Sequence, residues 1–420
     1  MEMKRTNYSS GAPLEEVAGY SRAVKSGPFI YVGGTTSVQS DGTVYGENDS
    51  YAQMKYILEK QLRFVEKAGG CKEDVYAVKC YVTKDYDGKE GAKAYTELFK
   101  DVKPLFTVVK IAALNRPTQL VEVEMNAVAG CSKGKEWNGI SLERTNYSSG
   151  APLEEIAGYS RMVKIGPFVY VGGTTSVQPD GSVYGEEDSM AQENYVLEKQ
   201  IKLLEQAGAT AEDVVKVKMY NTPEYKTFLK SETESYYAKV LKSVKPLCTG
   251  VTIAGLNRAS QVTEIEMMAI VGCGGEKKLP EWGKIDFTRT NYSSGAPLEE
   301  SYGYSRMVKS GPFVFVGGTT SVQPDGSVEG EEDAKAQENY IFEKEIKLIE
   351  QAGAKPEDVI KVKAYLAPDH KKYEKQDVES YYGKVLKPVK PLYTAVTIAA
   401  LNRPTQLTEI EMTAVIGAGN

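Results

Sequence analysis

A short apolar run followed by a longer segment with helical periodicity recurs three times along the chain. The apolar runs cover residues 29–32, 168–171 and 313–316, and each ends in Gly-Gly, where a chain turns or another group approaches the backbone closely. After each run, apolar residues are spaced by four, three and three, which predicts an amphipathic helix. The apolar positions of the three helices are Leu58, Leu62, Val65 and Ala68, then Leu197, Ile201, Leu204 and Ala207, then Phe342, Ile346, Ile349 and Ala352.

The segments after these helices predict the rest of a repeated unit. Each helix ends at Ala-Gly, which is typical of a left-handed C-cap. A strand, a second helix rich in tyrosine and another strand after Lys-Pro come next. The last strand alternates, as VEVEM from Val121 and TEIEM from Thr263 and Thr408, so one face is predicted to be buried and the other carries paired glutamates. The order β-β-α-β-α-β-β predicts an α/β (α+β) fold, a mixed sheet with two helices on one face.

Near-identical sequence shows that these units are copies of one domain. Residues 5–20, 144–159 and 289–304 read RTNYSSGAPLEEVAGY, RTNYSSGAPLEEIAGY and RTNYSSGAPLEESYGY. We predict three domains, called modules 1, 2 and 3, each large enough to bury its own core. Because helices cover only one face of each sheet, the modules are expected to cover one another's free faces as a single-chain pseudo-trimer. The predicted boundaries are residues 1–136, residues 137–280 including a linker, and residues 281–420 including a second linker.

Composition narrows the classes of function. The net charge of −6 is modest and no basic stripe is present, so no nucleic-acid partner is expected. No apolar run reaches the roughly 18 residues of a membrane helix, and the amino terminus lacks an apolar signal core, so we expect no membrane partner and a cytoplasmic location. The single histidine, His370, excludes His-based triads and multi-histidine zinc sites, and no metal is expected.

Several motifs occur in all three modules: in module 1 they are GYSRAV, FIYVGGTTS, AGxxxEDV and VEVEMNAVA. They resemble the RidA/YjgF family, also called the L-PSP endoribonuclease family. The resemblance implies a chorismate-mutase-like fold and three such units around a central β-barrel-like core, with a ligand cleft between neighbours. It also implies hydrolysis of enamine and imine intermediates derived from amino acids, with release of ammonia and with no metal or organic cofactor.

The resemblance also shows a departure from the family. There, an arginine in a Pro-Ala-Arg-Ser-like stretch clamps the substrate carboxylate, whereas this chain has Pro-Leu-Phe-Thr, Pro-Leu-Cys-Thr and Pro-Leu-Tyr-Thr. Phe, Cys and Tyr cannot make the bidentate contact of a guanidinium with a carboxylate. The corresponding substrate-binding positions are Phe106 and Thr107, Cys248 and Thr249, and Tyr393 and Thr394.

Other cleft positions of the family are present in every module. The resemblance assigns substrate binding to a tyrosine and a turn glycine, and the positioning of the hydrolytic water to a glutamate. Each has a structural alternative, since the tyrosine could pack at an interface, the glycine could only shape a turn, and the glutamate could lie on a solvated strand face. The residues are Tyr20, Tyr159 and Tyr304, Gly34, Gly173 and Gly318, and the candidate catalytic Glu122, Glu264 and Glu409.

The spacing in GYSRAV and GYSRMV suggests a replacement for the missing arginine. Tyrosine and arginine two positions apart on an extended segment point to the same side, so this arginine would face the cleft together with the tyrosine. The alternative is an ion pair with a surface carboxylate. The candidates are Arg22, Arg161 and Arg306, and the loop arginines Arg116, Arg258 and Arg403 are a second possibility.

Three functions fit the sequence. The first is binding of a small-molecule metabolite in inter-module clefts, with hydrolase or lyase chemistry on an imine, enamine or related carbonyl compound, although the missing arginine argues against ordinary 2-imino acid deamination. The second is a non-catalytic small-molecule binder or regulatory scaffold. The third is a ribonuclease, which the lack of a basic track and of a histidine pair disfavours. Phe106, Cys248 and Tyr393 differ in size and polarity, so the three clefts are expected to differ.

Overall fold

The computed structural model describes residues 3–230, 233–274, 282–375 and 379–419. Module 1 is built on one sheet. Its strands are β1 (Arg5–Tyr8), β2 (Ala23–Ser26), β3 (Phe29–Thr35), β4 (Val75–Val82), β5 (Leu105–Lys110) and β6 (Val121–Val128). Its helices are α1 (Pro13–Ala18), α2 (Ser50–Lys67) and α3 (Gly88–Phe99). The strands lie in the order β1-β2-β3-β6-β4-β5, in which β4 and β5 are parallel and the other neighbours antiparallel.

Modules 2 and 3 repeat this plan. A short two-stranded linker of β7 (Glu136–Trp137) and β8 (Ile140–Ser141) precedes module 2. The strands of module 2 are β9 (Arg144–Tyr147), β10 (Met162–Ile165), β11 (Phe168–Thr174), β12 (Val214–Asn221), β13 (Leu247–Thr252) and β14 (Thr263–Ile270). Its helices are α4 (Pro152–Ala157), α5 (Ser189–Gln206), α6 (Glu224–Thr227) and α7 (Tyr236–Val240). The strands of module 3 are β15 (Arg289–Tyr292), β16 (Met307–Ser310), β17 (Phe313–Thr319), β18 (Val359–Leu366), β19 (Leu392–Thr397) and β20 (Thr408–Val415). Its helices are α8 (Pro297–Tyr302), α9 (Ala334–Gln351) and α10 (Tyr381–Val385).

The predicted fold class is confirmed, a mixed sheet with helices in each of three tandem modules. Helix α2 begins where the Asp49 side chain accepts a hydrogen bond from the Ala52 N–H, and Gly69 follows its end with φ of 82°. Its apolar face packs on the sheet. Two features were not predicted: the first strand and short helix of each module, and the shrinkage of the tyrosine-rich helix from 12 residues in α3 to 5 in α7 and α10.

The three modules form a closed ring. At each seam, a serine hydroxyl donates a hydrogen bond to a lysine carbonyl of the preceding module, and a tyrosine hydroxyl of that module donates to the glycine carbonyl at the end of the short helix. The serine–lysine pairs are Ser160–Lys103 at 2.7 Å, Ser305–Lys245 at 2.7 Å and Ser21–Lys390 at 2.6 Å. The third pair joins the first module to the last, so the chain is its own pseudo-trimer.

The barrel-like core expected at the centre is not found in the described part of the chain. There the long strands form three separate six-stranded sheets, and neighbouring modules pair only through isolated bridges, such as Ser21 with Leu392. Aromatic side chains meet near the axis instead: the rings of Phe29, Phe168 and Phe313 contact one another edge to face with centroids 5.1 to 5.4 Å apart. The sheets therefore face one another around the axis without continuous hydrogen bonding.

Candidate functional site at the module seams

Each seam combines the glycine-bearing and glutamate-bearing strands of one module with the strand after Lys-Pro of the preceding module. We call them seams 1/2, 2/3 and 3/1. The structure brings the predicted site residues together there in three equivalent sets. Seam 1/2 holds Phe106, Thr107, Tyr159, Arg161, Gly173 and Glu264; seam 2/3 holds Cys248, Thr249, Tyr304, Arg306, Gly318 and Glu409; seam 3/1 holds Tyr393, Thr394, Tyr20, Arg22, Gly34 and Glu122.

The turn glycine is a point of close approach between modules. Gly34 N–H donates to Thr394 Oγ1 at 2.8 Å, and the matching bonds at seams 1/2 and 2/3 are 3.0 and 2.8 Å long. A Cβ atom on Gly34 would lie 1.9 Å from Glu122 Oε1 and 2.4 Å from Thr394 Cγ2. Glycine is therefore required here because both a carboxylate and the neighbouring module press against its Cα atom. Its N–H already has a partner in the threonine.

We expect Gly34→Ala to destabilise the protein and to displace Glu122. The added methyl group overpacks the seam, which costs about 1–3 kcal/mol in comparable cases. Urea unfolding measures the change. Gly250→Ala on β13 is the control and should be neutral, since a Cβ atom added to Gly250 would have no described neighbour within 4 Å. Equal stability of the two variants would contradict the close approach.

The three candidate catalytic glutamates share an unusual environment. Glu122, Glu264 and Glu409 are buried, yet their carboxylates make no hydrogen bond with any described residue that the structure places near them. Burial is the main cause that raises the pKa of Glu122 and Glu409 to about 7 and that of Glu264 to about 8. Nearby charges modify this: Lys363 and Lys218 lower the pKa of Glu122 and Glu409, and Glu266 raises that of Glu264. Each carboxyl is therefore poised to exchange a proton near neutral pH.

The glutamate face of the last strand is not solvated. Glu122 and Glu124 are both buried, because the neighbouring modules cover that face of the sheet. Their pKa values move in opposite directions. Glu124 lies within 3.2 Å of Lys361 and accepts a hydrogen bond from Tyr81, and its pKa falls below the ordinary value despite burial. The cleft glutamate and its strand neighbour thus have different protonation at neutral pH.

The proposed replacement arginines face the seam tyrosines and are each held by three partners of their own module. Arg22 donates to Tyr20 Oη at 3.2 Å and to the Gly34 carbonyl at 2.7 Å, and its Nε lies 3.4 Å from Glu15. The same three partners hold the arginines of the other modules. The ion pair is with a buried carboxylate of the same module, whereas the alternative placed it at the surface. Since the tyrosine hydroxyl accepts from the arginine, its own proton is free for a ligand.

The positions of the missing arginine have three different surroundings. The Phe106 ring stacks on Tyr95, with centroids 3.8 Å apart, and lies 6.4 Å from Tyr159. Tyr393 meets Tyr382 edge to face at 5.3 Å. Cys248 packs against the core of module 2, and burial raises the pKa of its thiol to about 12. A thiolate nucleophile is therefore disfavoured at Cys248.

Sequence reasoning missed two partly buried side-chain pairs close to these positions. Glu193 on α5 accepts a hydrogen bond from Tyr225, and its charge raises the pKa of Cys248. Glu338 on α9 lies 3.1 Å from His370 Nε2, and its charge raises the pKa of Tyr393. Module 1 has Met54 at the equivalent helix position. A glutamate on an otherwise apolar helix face was the signal that could have revealed both pairs.

The described residues hold neither a metal-binding cluster nor a membrane-spanning helix. No group of three or more His, Cys, Asp or Glu side chains among them is arranged to hold a metal ion. None of the described helices combines the length and the apolar character that crossing a membrane requires.

The fold and the seams define a class: a ring of α+β modules with a buried glutamate at every junction. The family model described as endoribonuclease L-PSP matches residues 11–129, 150–271 and 295–416, so the chain belongs to that family and carries its domain three times. This confirms the resemblance inferred from the motifs.

Two relatives and one solved structure each match about one module's length of the chain. An uncharacterised protein of Streptomyces coelicolor is 32% identical over 121 residues, which are 29% of this chain and 90% of that protein. A RutC family protein of Pyrococcus abyssi is 29% identical over 126 residues, 30% of this chain and 96% of that protein. The crystal structure of a YjgF/YER057c/UK114 family member from Mycobacterium tuberculosis is 32% identical and covers 30% of this chain and 100% of that one, with a TM-score of 0.27.

Proposed function

We propose that the seams bind a small metabolite and hydrolyse an imine, enamine or related carbonyl compound, with Glu122, Glu264 and Glu409 as acid–base groups. The observation that carries this proposal is the set of three buried glutamates with raised pKa values and no hydrogen-bond partner among the described residues around them. A pKa near the working pH lets one group accept a proton and return it in the same cycle.

The chemistry needs only water and these side chains. An ionised glutamate takes a proton from water while the water oxygen attacks the imine carbon, and the resulting glutamic acid returns that proton to the imine nitrogen, which gives a neutral carbinolamine. The glutamate then takes the hydroxyl proton of the carbinolamine and transfers it to the nitrogen, the C–N bond breaks, ammonia leaves and a carbonyl remains. The seam tyrosine, such as Tyr20, supports the step by donating its free hydroxyl proton to a ligand oxygen or nitrogen, since its oxygen already accepts from Arg22.

The seams favour ligands without a carboxylate next to the reacting carbon. Phe106, Cys248 and Tyr393 offer no guanidinium, and the seam arginines are engaged by a glutamate, a tyrosine and a carbonyl. A buried anion without a cationic partner is costly. We therefore propose neutral imines, enamines or carbonyl compounds as the preferred class.

A non-catalytic binder is the second candidate, and one observation favours it. The N–H of each turn glycine donates to a threonine of the preceding module, so this backbone donor is not available to stabilise charge in a transition state. A ribonuclease remains the least favoured function, because net charge is negative and a single histidine is present.

The test compares ammonia release from freshly generated neutral imines between the wild type and the triple variant Glu122→Gln, Glu264→Gln, Glu409→Gln. The glutamate acts first as a base, so the wild-type rate should rise with pH, with a midpoint between about 7 and 8. The triple variant should lose about 10²-fold or more of the rate, together with this pH dependence.

Glu198→Gln, on the exposed face of α5, is the control and should retain full activity. Wild-type turnover that persists in the triple variant would refute the glutamates as acid–base groups. Thermal stabilisation by a metabolite without any turnover would instead support the binder.

A further inference from the structure

A chamber of about 220 Å³ lies on the ring axis, separate from the seam glutamates. It is placed between two apolar clusters to which all three modules contribute. Tyr76, early in β4, belongs to the cluster around Phe29, and Tyr81, late in β4, belongs to the cluster at the other end, which also contains Leu256 and Leu401. Lys79 lies between these tyrosines on the same strand and lines the chamber.

Three ion pairs cross the chamber wall, and each links one module to the next. Lys79 pairs with Glu266, Lys216 with Glu411 at 2.8 Å, and Lys361 with Glu124 at 3.2 Å. Each glutamate also accepts a hydrogen bond from a tyrosine of its own module, at 3.0 to 3.1 Å. The three carboxylates are therefore matched one to one by three lysines.

Two further lysines have no such match. Lys218 and Lys363 line the chamber, their side chains are 3% and 4% exposed, and their Nζ atoms have no hydrogen-bond partner among the described residues. Their carboxylate neighbours, at 3.6 and 3.8 Å, already have a lysine each. Each Nζ lies instead over a tyrosine ring, of Tyr365 at 3.7 Å and of Tyr81 at 3.6 Å.

The two additional lysines are present because the modules differ in sequence on the central strand. Modules 2 and 3 have two lysines on the central strand, Lys216 with Lys218 and Lys361 with Lys363. In module 1, Ala77 stands at the first position, and Lys79 at the second takes the pairing role. When all groups are ionised, five lysines and three glutamates leave the chamber wall with an excess of two positive charges.

We propose that this axial chamber is a binding site for a compact dianion, held between Lys218 and Lys363. Two ammonium groups with free N–H donors in a buried site provide charge-assisted hydrogen bonds to such a ligand. Burial lowers the pKa of both lysines, and the nearby carboxylates do not fully compensate for it. A lowered lysine pKa is expected of an anion site that has no anion bound. The volume lies below the roughly 300–1,000 Å³ of sites for drug-sized ligands, so only a small ligand fits.

Inorganic phosphate and short dicarboxylates both offer two negative charges on oxygen atoms that accept hydrogen bonds, and the experiment distinguishes between them. Isothermal titration calorimetry of the intact protein would use phosphate in one arm and malonate, succinate and glutarate in the other. Because Lys218 and Lys363 are almost completely buried, samples are also measured after prolonged incubation. We expect saturable binding of one of these dianions, one per chain, and binding of acetate at least 10-fold weaker.

Lys218→Met and Lys363→Met should each weaken dianion binding roughly 10-fold or more, since each removes a charged hydrogen-bond donor. Methionine fills similar space, and the loss of a buried charge that is only partly paired should leave both variants folded. Lys202→Met, on the exposed face of α5, is the control and should bind as the wild type does. The triple glutamine variant of the seams should also retain binding, which keeps this test independent of the proposed function.

No dianion binding by the wild type, or equal binding by the methionine variants, would overturn the proposal. If, in addition, the methionine variants were more stable than the wild type and did not differ from it in binding any anion tested, Lys218 and Lys363 would be buried lysines that the fold tolerates, without a role in anion binding.

Discussion

Replacing Glu345 by glutamine should stabilise the protein by about 3 kcal/mol at pH 8, because a buried carboxyl without hydrogen bonds carries a large penalty, either as a desolvated charge or as the cost of keeping its proton. Glu345 on α9 is completely buried, and neither of its carboxylate oxygens has a hydrogen-bond partner among the described residues. The neighbouring Thr319 hydroxyl donates to the Gly317 carbonyl at 2.9 Å. In modules 1 and 2 the same helix position is Gln61 or Gln200, whose amide donates to a carbonyl of the last strand at 2.5 or 2.7 Å.

The effect should depend on pH in a defined direction. Burial raises the pKa of Glu345 well above its ordinary value. A carboxyl whose pKa is higher in the folded than in the unfolded state makes its full contribution to stability below the unfolded pKa of about 4.3. This contribution is lost as the pH rises through the folded pKa. The stability advantage of Glu345→Gln should therefore be small at pH 4 and grow steadily towards pH 8. Urea unfolding at several pH values measures it.

Glu343→Gln provides the control on the same helix. Glu343 is half exposed and pairs with Lys347 on the surface, so its loss should change stability by less than about 0.5 kcal/mol at any pH. A constant difference between Glu345→Gln and the wild type from pH 4 to 8 would show that Glu345 does not carry a strongly raised pKa.

Features that depend on local periodicity could be predicted from the sequence. Leu58, Leu62 and Val65 are buried on the face that their spacing indicated, and Gly69 takes the left-handed conformation. The ring itself was predictable because the repeats leave one sheet face uncovered. The family motifs located the seams and the residues that meet there.

Features that depend on contacts between modules, or between distant segments, could not be predicted in this way. Lys363 alternates with apolar residues along β18 in the way that a lysine on a solvated strand face does, yet the other modules bury it. Arg22 and Glu15 are seven residues apart and no single helix or strand contains both, so their ion pair could not be inferred from the spacing. His370 stood alone in a loop of the sequence, and only the fold brings it to Glu338.

The three seams have diverged around one shared arrangement of glycine, threonine and glutamate. Seam 1/2 has an aromatic floor of Phe106 and Tyr95, whereas Cys248 at seam 2/3 has the buried carboxylate of Glu193 nearby. An arginine restored at these two positions would therefore meet different neighbours. The divergence makes the consequences of the missing arginine testable within one chain.

Phe106→Arg should raise kcat/KM for a 2-imino acid roughly 10- to 100-fold while leaving a neutral imine unchanged. The guanidinium can stack on Tyr95 in place of the Phe106 ring and direct its donors into the cleft of Glu264. A hydrogen bond to a charged group contributes about 1.5–3 kcal/mol, which corresponds to that change in rate. Ammonia release from both substrates measures it, and adding Glu264→Gln should abolish the gain.

Cys248→Arg should give a smaller gain, because Glu193 can capture the new guanidinium inside module 2. The stability of this variant should rise or stay unchanged, because the new ion pair compensates the buried carboxyl of Glu193, whose pKa is raised by burial. Cys248→Arg combined with Glu193→Met, the residue type of Met54 in module 1, should release the arginine and bring the gain to the level of Phe106→Arg. If Phe106→Arg accelerated both substrates equally or neither, the vacated position would not be where the substrate carboxylate lies.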